Sequence, residues 1–202
     1  MIIYGAGGHS CVIIDSLIAR NFPINAIFDD DSSKKELFGH AILHQYTGNV
    51  HQNESLIIAI GNNVIRKKIA VNIQHTFGIV KDPSAIISSF SQIGIGSVIL
   101  HRAIVQARSM VGKHVIVNTA AIIEHDCQVG DYAQIGPNAT ICGSVHIGEG
   151  AFIGAGAVIK PGVKIGSWAI VGAGAIVIKD IDTRTMVAGN PAKIIKTTLP
   201  RT

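Results

Sequence analysis

The amino-acid sequence predicts two domains, a Rossmann-like α/β domain over residues 1–80 and a parallel β-helix domain with a carboxyl-terminal tail over residues 81–202. Up to about residue 75, short apolar runs alternate with segments of helical periodicity, which indicates a parallel sheet. After Asp82-Pro83 an aliphatic residue recurs at every sixth position without exception. A strict six-residue period indicates a β-helix.

Three apolar runs form the predicted sheet of the first domain, and each ends in residues typical of a turn. The runs are Met1–Tyr4, Ala26–Phe28 and Leu56–Ile60. Helical periodicity follows the first run and the third, with Ser10 and Asn62 as the expected helix caps. Ligands of such sheets bind at the carboxyl ends of the strands, so we expect a binding site there.

The hexapeptide repeat predicts the β-helix in detail. It runs from Ile87 to Val177 with sixteen aliphatic residues, and the residue two places before each of them is small or Val. We expect both series to point inward. Three six-residue walls then complete a coil of about 18 residues, and coils stack at the strand spacing of roughly 4.8 Å. Cys127 falls on the small series and is predicted to be a packing residue, whereas Cys142 is expected near the surface.

The composition limits the possible functions. A hydrophobic content of 48% with 15% charged residues fits a globular protein, and no apolar run reaches the roughly 20 residues of a membrane span. Three cysteines and no recognisable signal peptide predict a cytoplasmic protein. The net charge of +4 suits anionic small ligands and gives little support for a nucleic-acid partner.

The histidines of the predicted β-helix do not fit a metal site. A zinc hydratase on this fold would need ligands spaced by whole coils of 18 or 36 residues. The histidines are His101, His114, His125 and His146, whose successive separations are 13, 11 and 21. No metal is therefore predicted. His125 differs because Asp126 follows it directly, and a carboxylate beside an imidazole favours general-base chemistry. An ordinary exposed histidine remains the alternative at this point.

The glycine-rich stretch Gly5–Ser10 has two possible interpretations. A dinucleotide fingerprint has a third glycine where Ser10 stands, which argues against NAD binding. A glycine turn at a helix start still presents backbone N–H groups to phosphate.

Several motifs together resemble a known family. They are "YGAGGHS" (Tyr4–Ser10), "FDDD" (Phe28–Asp31), "AIGNNVIRKKIA" (Ala59–Ala70), "NTAAIIEHD" (Asn118–Asp126) and "VAGNPAK" (Val187–Lys193). In this order they resemble the NeuD/PglD family of sugar acetyltransferases, which belong to the left-handed β-helix superfamily. The resemblance extends over nearly the whole chain and implies a left-handed β-helix and a homotrimer.

The resemblance also implies roles for individual residues. His125 would be the general base, Asp126 its partner, and Asn118 a further residue near the active centre. Gly7, Gly8, His9 and Gly61 would bind the nucleotide-sugar, and Asp29 and Asp30 its nucleoside. Gln134, Ala155 and Ala173 would line the coenzyme A groove between neighbouring chains, although some relatives carry His where this chain has Gln134.

The implied reaction is direct transfer of an acetyl group from acetyl-CoA to the 4-amino group of a UDP-linked 4-amino-4,6-dideoxy sugar, in surface glycan biosynthesis. Two alternatives stay open at this point. One is an O-acetyltransferase of sialic acid or another sugar, and the other is a β-helix scaffold that binds sugar-nucleotides without catalysis.

Overall fold

The computed structural model describes residues 1–197, so the last five residues of the predicted 81–202 domain lie outside the described residues. The amino-terminal sheet has the strand order β3-β4-β2-β1-β5. Its strands are β1 (Ile2–Tyr4), β2 (Ala26–Phe28), β3 (Glu36–Leu37), β4 (His40–Leu43) and β5 (Leu56–Ile58). All neighbours pair in parallel except β3 and β4. The parallel sheet predicted from the three apolar runs is confirmed, whereas the β3–β4 hairpin was not predicted.

Two helices cover this sheet, and their starts differ in how well the sequence predicts them. α1 (Gly8–Ile18) begins earlier than predicted, with Gly7 at the N-cap; the Ser10 hydroxyl donates to the Gly7 carbonyl oxygen at 2.8 Å, so the prediction of Ser10 as the cap is wrong. α2 (Asn63–Ala70) is capped as predicted, because the Asn62 side chain accepts a 3.0 Å hydrogen bond from the Ile65 N–H.

The remaining strands stack into three walls of a parallel β-helix. The first wall contains β6 (Val80–Lys81), β9 (Val98–Ile99), β12 (Ile116–Val117), β15 (Gln134–Ile135), β18 (Phe152–Ile153), β21 (Ile170–Val171), β23 (Thr185–Ala188) and β24 (Lys193–Thr197). The second wall contains β7 (Ile86–Ile87), β10 (Ile104–Val105), β13 (Ile122–Ile123), β16 (Thr140–Ile141), β19 (Val158–Ile159) and β22 (Ile176–Val177). The third wall contains β8 (Gln92–Ile93), β11 (Met110–Val111), β14 (Gln128–Val129), β17 (His146–Ile147) and β20 (Lys164–Ile165).

The register confirms the predicted coil length. Ile104 pairs with Ile122, and Ile122 pairs with Thr140, so strands 18 residues apart lie side by side. We call the turn from the first wall to the second the first corner, the next turn the second corner, and the turn back to the first wall the third corner.

The interior of the β-helix is filled by the two predicted inward series. The aliphatic residues from Ile99 onward and the small residues from Ser97 onward are buried. Ile87 and Ile93 are only partly buried, because they belong to the coil at the open end of the stack. Cys127 is fully buried, as predicted for a packing residue, and Cys142 is partly exposed.

At every sixth position from Gly96 to Gly174, a corner turns through a residue with a left-handed backbone. The pattern is regular: Arg108, His114, Ala120, Asp126 and Tyr132 follow one another at six-residue steps, all with φ between 54° and 61°. Non-glycine residues seldom adopt this conformation, so the coil geometry imposes it at these corners. The corners therefore hold their side chains in a fixed direction.

The amino-terminal domain packs against the first wall and the third corner. Val98, Leu100 and Ile116 of the β-helix share an apolar cluster with α1 and the sheet. Polar contacts reinforce this at the third corner, where Asn63 donates to the carbonyl oxygens of Gly150 and Ala151. Within residues 1–197, no helix is long and apolar enough to cross a membrane. The domain boundary between residues 80 and 81 stays a prediction.

Candidate active site

The second corner carries a paired imidazole and carboxylate. His125 Nδ1 lies 2.7 Å from Asp126 Oδ2, and the His125 side chain is 59% exposed. If Nδ1 carries the proton and donates it to the carboxylate, Nε2 is left with a free lone pair. This arrangement can accept a proton from a bound nucleophile, which is the role of a general base.

A second partner holds Asp126 from the neighbouring coil. Arg108, 18 residues earlier at the same corner, forms a bidentate ion pair with the Asp126 carboxylate at 2.6 and 2.8 Å. The hydrogen bond from Arg108, followed by that from His125, holds the pKa of Asp126 well below its usual range. Asp126 therefore remains ionised and oriented toward His125 throughout the neutral pH range.

Gly143 provides space for the imidazole one coil further along. A Cβ atom at Gly143 would lie 2.6 Å from Cε1 and 2.8 Å from Nε2 of His125. Only glycine leaves this room, so the ring is bounded by Asp126 on its own coil and by Gly143 on the next.

Asn118 lies apart from this pair. It is at the first corner, whereas His125 is at the second, and strand β13 separates the two positions. Its side-chain oxygen accepts the backbone N–H of Thr119 at 2.8 Å. Within one chain the structure does not bring Asn118 to His125, so its role near the active centre stays a prediction.

The glycine-rich loop is open at the carboxyl edge of the sheet. Gly7 and Gly8 are exposed, and a Cβ atom built on either would meet nothing within 4 Å. His9 lies deeper, where its Nε2 is buried without a hydrogen-bond partner in the described chain. Burial, with a further contribution from the charge of Arg66, lowers the pKa of His9 to about 4. His9 is therefore neutral at pH 7.

The two predicted nucleoside-binding aspartates differ in their surroundings. Asp29 is buried, and its oxygens accept the Ala6 N–H at 2.6 Å and the Asp31 N–H at 2.9 Å and bind Lys34 at 2.8 Å. Asp30 is exposed, and one of its oxygens accepts the Tyr4 hydroxyl at 2.8 Å. Asp29 thus holds the glycine-rich loop in place, and Asp30 has the more accessible carboxylate.

The carbonyl oxygen of Gly61 accepts a hydrogen bond from Arg66, whose side chain is buried. The guanidinium donates to the carbonyl oxygens of Ile60 and Gly61, to the Asn63 side chain, and to the carbonyl oxygens of His114 and Tyr132 at the third corner, at 2.8 to 3.2 Å. Burial lowers the pKa of Arg66 to about 10, so it stays charged.

The three residues predicted to line the coenzyme A groove are on or beside the first wall. Gln134 points outward from β15, and its Oε1 is buried without a hydrogen-bond partner in the described part of the chain. Ala155 and Ala173 are exposed at the first corner, one coil apart. Their coenzyme A contacts stay a prediction.

Sequence reasoning missed Arg108, Gly143 and Arg66. The 18-residue coil offered a signal for the first two, because both lie one coil away from Asp126 or His125. Nothing in the sequence indicated that Arg66 is buried. In residues 1–197, no group of three or more His, Cys, Asp and Glu side chains is arranged to hold a metal ion.

Two different protein families match the two domains of the chain. The PglD N-terminal domain family matches residues 1–73, and the bacterial transferase hexapeptide family matches residues 108–143 and 144–179. The structure of PerB from Caulobacter crescentus, in complex with CoA and GDP-perosamine, is 34% identical, covers 96% of both chains and has a TM-score of 0.91. The chain belongs to the same family of hexapeptide acetyltransferases as PerB.

Two further members are similar over the same length. The acetyltransferase domain of PglB from Neisseria gonorrhoeae, in complex with acetyl coenzyme A, is 33% identical with a TM-score of 0.88. WeeI from Acinetobacter baumannii is 31% identical with a TM-score of 0.85. Both cover 96% of this chain and 98% of their own. No curated protein matches in sequence. Membership of the family confirms the predicted fold and the predicted enzyme class, an acetyltransferase.

Proposed function

We propose that the protein transfers the acetyl group of acetyl-CoA to the 4-amino group of a nucleotide-linked 4-amino-4,6-dideoxy sugar, UDP-linked in the first instance, for surface glycan biosynthesis in the cytoplasm. The observation that carries this proposal is the exposed His125–Asp126 pair, fixed by Arg108 at one corner of the β-helix. Its family relatives PerB and the PglB domain were crystallised with CoA or acetyl-CoA, and PerB also with a sugar nucleotide.

His125 acts as the general base of a direct transfer. As the sugar amine attacks the thioester carbonyl, Nε2 of His125 takes the amine proton, and the developing imidazolium is stabilised by Asp126. The C–S bond then breaks and coenzyme A leaves as a thiolate. Backbone N–H groups are the candidates for stabilising the oxyanion.

No covalent acyl-enzyme is needed in this mechanism. Cys127 is buried among the inward residues, and burial raises the pKa of its thiol. Burial also raises the pKa of the partly exposed Cys142. Both thiols are therefore poor nucleophiles at neutral pH, whereas a free amine needs only positioning and one base.

A homotrimer would bring the separated site residues together. His125 is at the second corner and Ala155 and Ala173 are at the first, so a crevice lined by all three requires two chains. The second wall also offers an apolar outward face. Its outward residues are Ile86, Ile104, Ile122, Thr140, Val158 and Ile176. All of them are at least partly exposed, which suits packing against another copy.

A panel of acceptors tests the reaction. Purified protein is mixed with acetyl-CoA and with UDP- or GDP-linked sugars that carry a 4-amino group or a 4-hydroxyl group, and free thiol is followed. We expect thiol release with a 4-amino sugar and a product that resists hydroxylamine, since amides survive this treatment and esters do not. An ester product would assign O-acetylation, and absence of turnover with every 4-amino sugar would overturn the proposal.

Replacement of the base separates an enzyme from a binding scaffold. His125→Asn should lower kcat by roughly 10²-fold or more. The matched control is His146→Asn, because His146 is also exposed but lies on the third wall. Equal rates in the two variants would remove His125 from the mechanism.

A further inference from the structure

A cavity of about 530 Å³ lies between α1, the β3–β4 hairpin and the first corner of the β-helix. Its wall is mostly apolar, with Val12, Ile14 and Ile18 from α1 and Phe38 from the turn of the hairpin. Ile18 and Phe38 are both more than half exposed, so their apolar surface is accessible to a ligand. We call this space the Phe38 cavity, and its size is that of a small-molecule site.

The polar residues of the Phe38 cavity do not suit an anion. They are Cys11, Asp15, His101 and Thr119, and none of the described residues that line the cavity is Lys or Arg. The Asp15 carboxylate is 72% exposed, and one of its oxygens lies 3.2 Å from His101 Nε2. The same nitrogen lies 3.2 Å from the buried carboxylate of Asp82. A phosphate or carboxylate group would meet like charge here, so the cavity fits an uncharged and largely apolar group.

The first corner connects this cavity to the proposed coenzyme A groove in a straight line. Residues one coil apart stack along the corner, and backbone hydrogen bonds join each coil to the next. The stacked residues are His101, Thr119, Pro137, Ala155 and Ala173. Ala155 and Ala173 are proposed to line the coenzyme A groove, whereas His101 and Thr119 line the Phe38 cavity. The cavity therefore continues the groove at one of its ends.

The proposed general base is level with the junction between groove and cavity. Thr119 and His125 belong to the same coil, on either side of β13. In the proposed homotrimer, with its axis parallel to the β-helix, coils of equal height meet, so the partner's His125 faces Thr119. The thioester must then lie at the level of Thr119. An acyl chain that continues away from coenzyme A points to the next coil, that of His101, and enters the Phe38 cavity.

We infer that the Phe38 cavity holds the acyl chain of donors longer than acetyl-CoA, so that the protein transfers short uncharged acyl groups such as butyryl as well as acetyl. The inference rests on the proposed function for the positions of the base and of coenzyme A. The bonds that change are the same for every donor. The amine nitrogen bonds to the acyl carbonyl carbon, His125 takes the amine proton, and the C–S bond breaks to release coenzyme A as a thiolate.

Three donors test the chemistry of the cavity. Free thiol is followed with acetyl-CoA, butyryl-CoA and succinyl-CoA, each with the same amino-sugar acceptor. We expect kcat/KM for butyryl-CoA within about tenfold of that for acetyl-CoA, because the cavity accommodates the longer chain. Succinyl-CoA has a chain of the same length that ends in a carboxylate, so its kcat/KM should be at least about a hundredfold lower than that of butyryl-CoA. Asp15→Asn should narrow this gap, since it removes the negative charge that faces the chain.

Variants locate the acyl chain in the cavity. Ile18→Asp should lower the ratio of butyryl-CoA to acetyl-CoA kcat/KM at least tenfold, because it places a charge on the apolar wall. Val71→Asp is the matched control, since Val71 is also exposed at the carboxyl end of a helix but does not line the cavity, and it should leave the ratio unchanged. Phe38→Gly should also lower the ratio. Phe38 has a φ of 51°, which glycine adopts without strain, so this variant keeps the test valid even where Ile18→Asp fails to fold.

Binding without an acceptor separates this inference from the proposed function. Calorimetry should show that butyryl-CoA binds the wild-type protein at least fivefold more tightly than coenzyme A, because the chain leaves water, and that Phe38→Gly removes this difference. Equal affinity of the two ligands in the wild type would overturn the inference, whether or not any amino sugar is acylated.

Two kinetic outcomes would also overturn it while leaving acetyl transfer intact. One is a wild-type kcat/KM for butyryl-CoA below a hundredth of that for acetyl-CoA. The other is an unchanged donor ratio in Phe38→Gly together with a raised KM for the amino sugar, which would assign the cavity to the acceptor.

Discussion

The imidazole ring of His125 lies directly against Gly143, the residue at the same corner one coil further along the chain. The missing side chain of Gly143 is what allows the ring to occupy this space beside Asp126. A methyl group there would approach Cε1 to 2.6 Å, closer than side-chain atoms pack, so the ring would have to turn away.

Gly143→Ala should therefore reduce activity with little effect on folding. We expect kcat to fall by roughly 10²-fold, as for loss of the general base, because the ring leaves its hydrogen bond to Asp126. Rates and urea denaturation would be measured on the same samples. Ser144→Ala, at the exposed neighbouring position, serves as the control, and equal activity in both variants would contradict this role of Gly143.

Arg108 should matter for catalysis without touching the substrate. Its bidentate pair orients Asp126, and Arg108 itself is exposed, so Arg108→Leu should leave the urea midpoint unchanged. We expect about a tenfold fall in kcat with unchanged KM for acetyl-CoA, smaller than the roughly 10²-fold loss expected for His125→Asn. Arg108→Lys should recover part of the rate, because one hydrogen bond to Asp126 can still form. A rise in KM instead would indicate that Arg108 binds coenzyme A.

The repeat made most of the β-helix predictable from the sequence. Every inward position from Ile99 to Val177 follows from the six-residue period, because each coil faces the same packing requirement as its neighbours. The period also placed His125 and Asp126 outside the core. The six-residue period alone does not show which corner residues contact each other across coils. Those contacts emerge only when residues 18 positions apart are compared, such as Arg108 and Asp126.

The amino-terminal half was less predictable, because its contacts are not periodic. The residues of β3 and β4 are mostly exposed and lack a strong apolar pattern, so the hairpin was not recognised. Arg66 lies beside Lys67 and Lys68 on a predicted helix, which suggests a solvated face. Its side chain is nevertheless buried, and it donates to carbonyl oxygens of both the amino-terminal domain and the β-helix. The motif of Asp29 predicts a ligand contact. In the structure its carboxylate instead accepts hydrogen bonds from the Ala6 N–H and from Lys34.

Arg66 should contribute strongly to stability. All five of its N–H groups bond to neutral oxygens, so Arg66→Met would leave several buried carbonyl groups without donors. We expect the free energy of unfolding to fall by at least about 3 kcal/mol, measured by urea denaturation. Lys68→Met, an exposed change on the same helix, should alter it by less than about 0.5 kcal/mol. Similar losses in both variants would contradict the special role of Arg66.

Two neutral buried histidines should make the protein sensitive to mild acid. Burial, followed by the charge of Arg66, lowers the pKa of both His9 and His114 from 6.5 to about 4. Between these values the unfolded chain binds a proton at each site and the folded chain does not, so stability falls as the pH drops from about 6.5 to about 4. The slope is up to about 1.4 kcal/mol per pH unit for each histidine.

His114→Phe tests the contribution of His114 to this effect. The His114 ring is stacked on Tyr132 and its Nδ1 has no partner in residues 1–197, so a phenyl ring can replace it while removing the titration. Urea denaturation of wild type and variant at pH 7, 6 and 5 should show a shallower loss of stability in His114→Phe. His146→Asn, which changes an exposed histidine, should keep the wild-type slope. An unchanged slope in His114→Phe would contradict a lowered pKa of His114 in the folded protein.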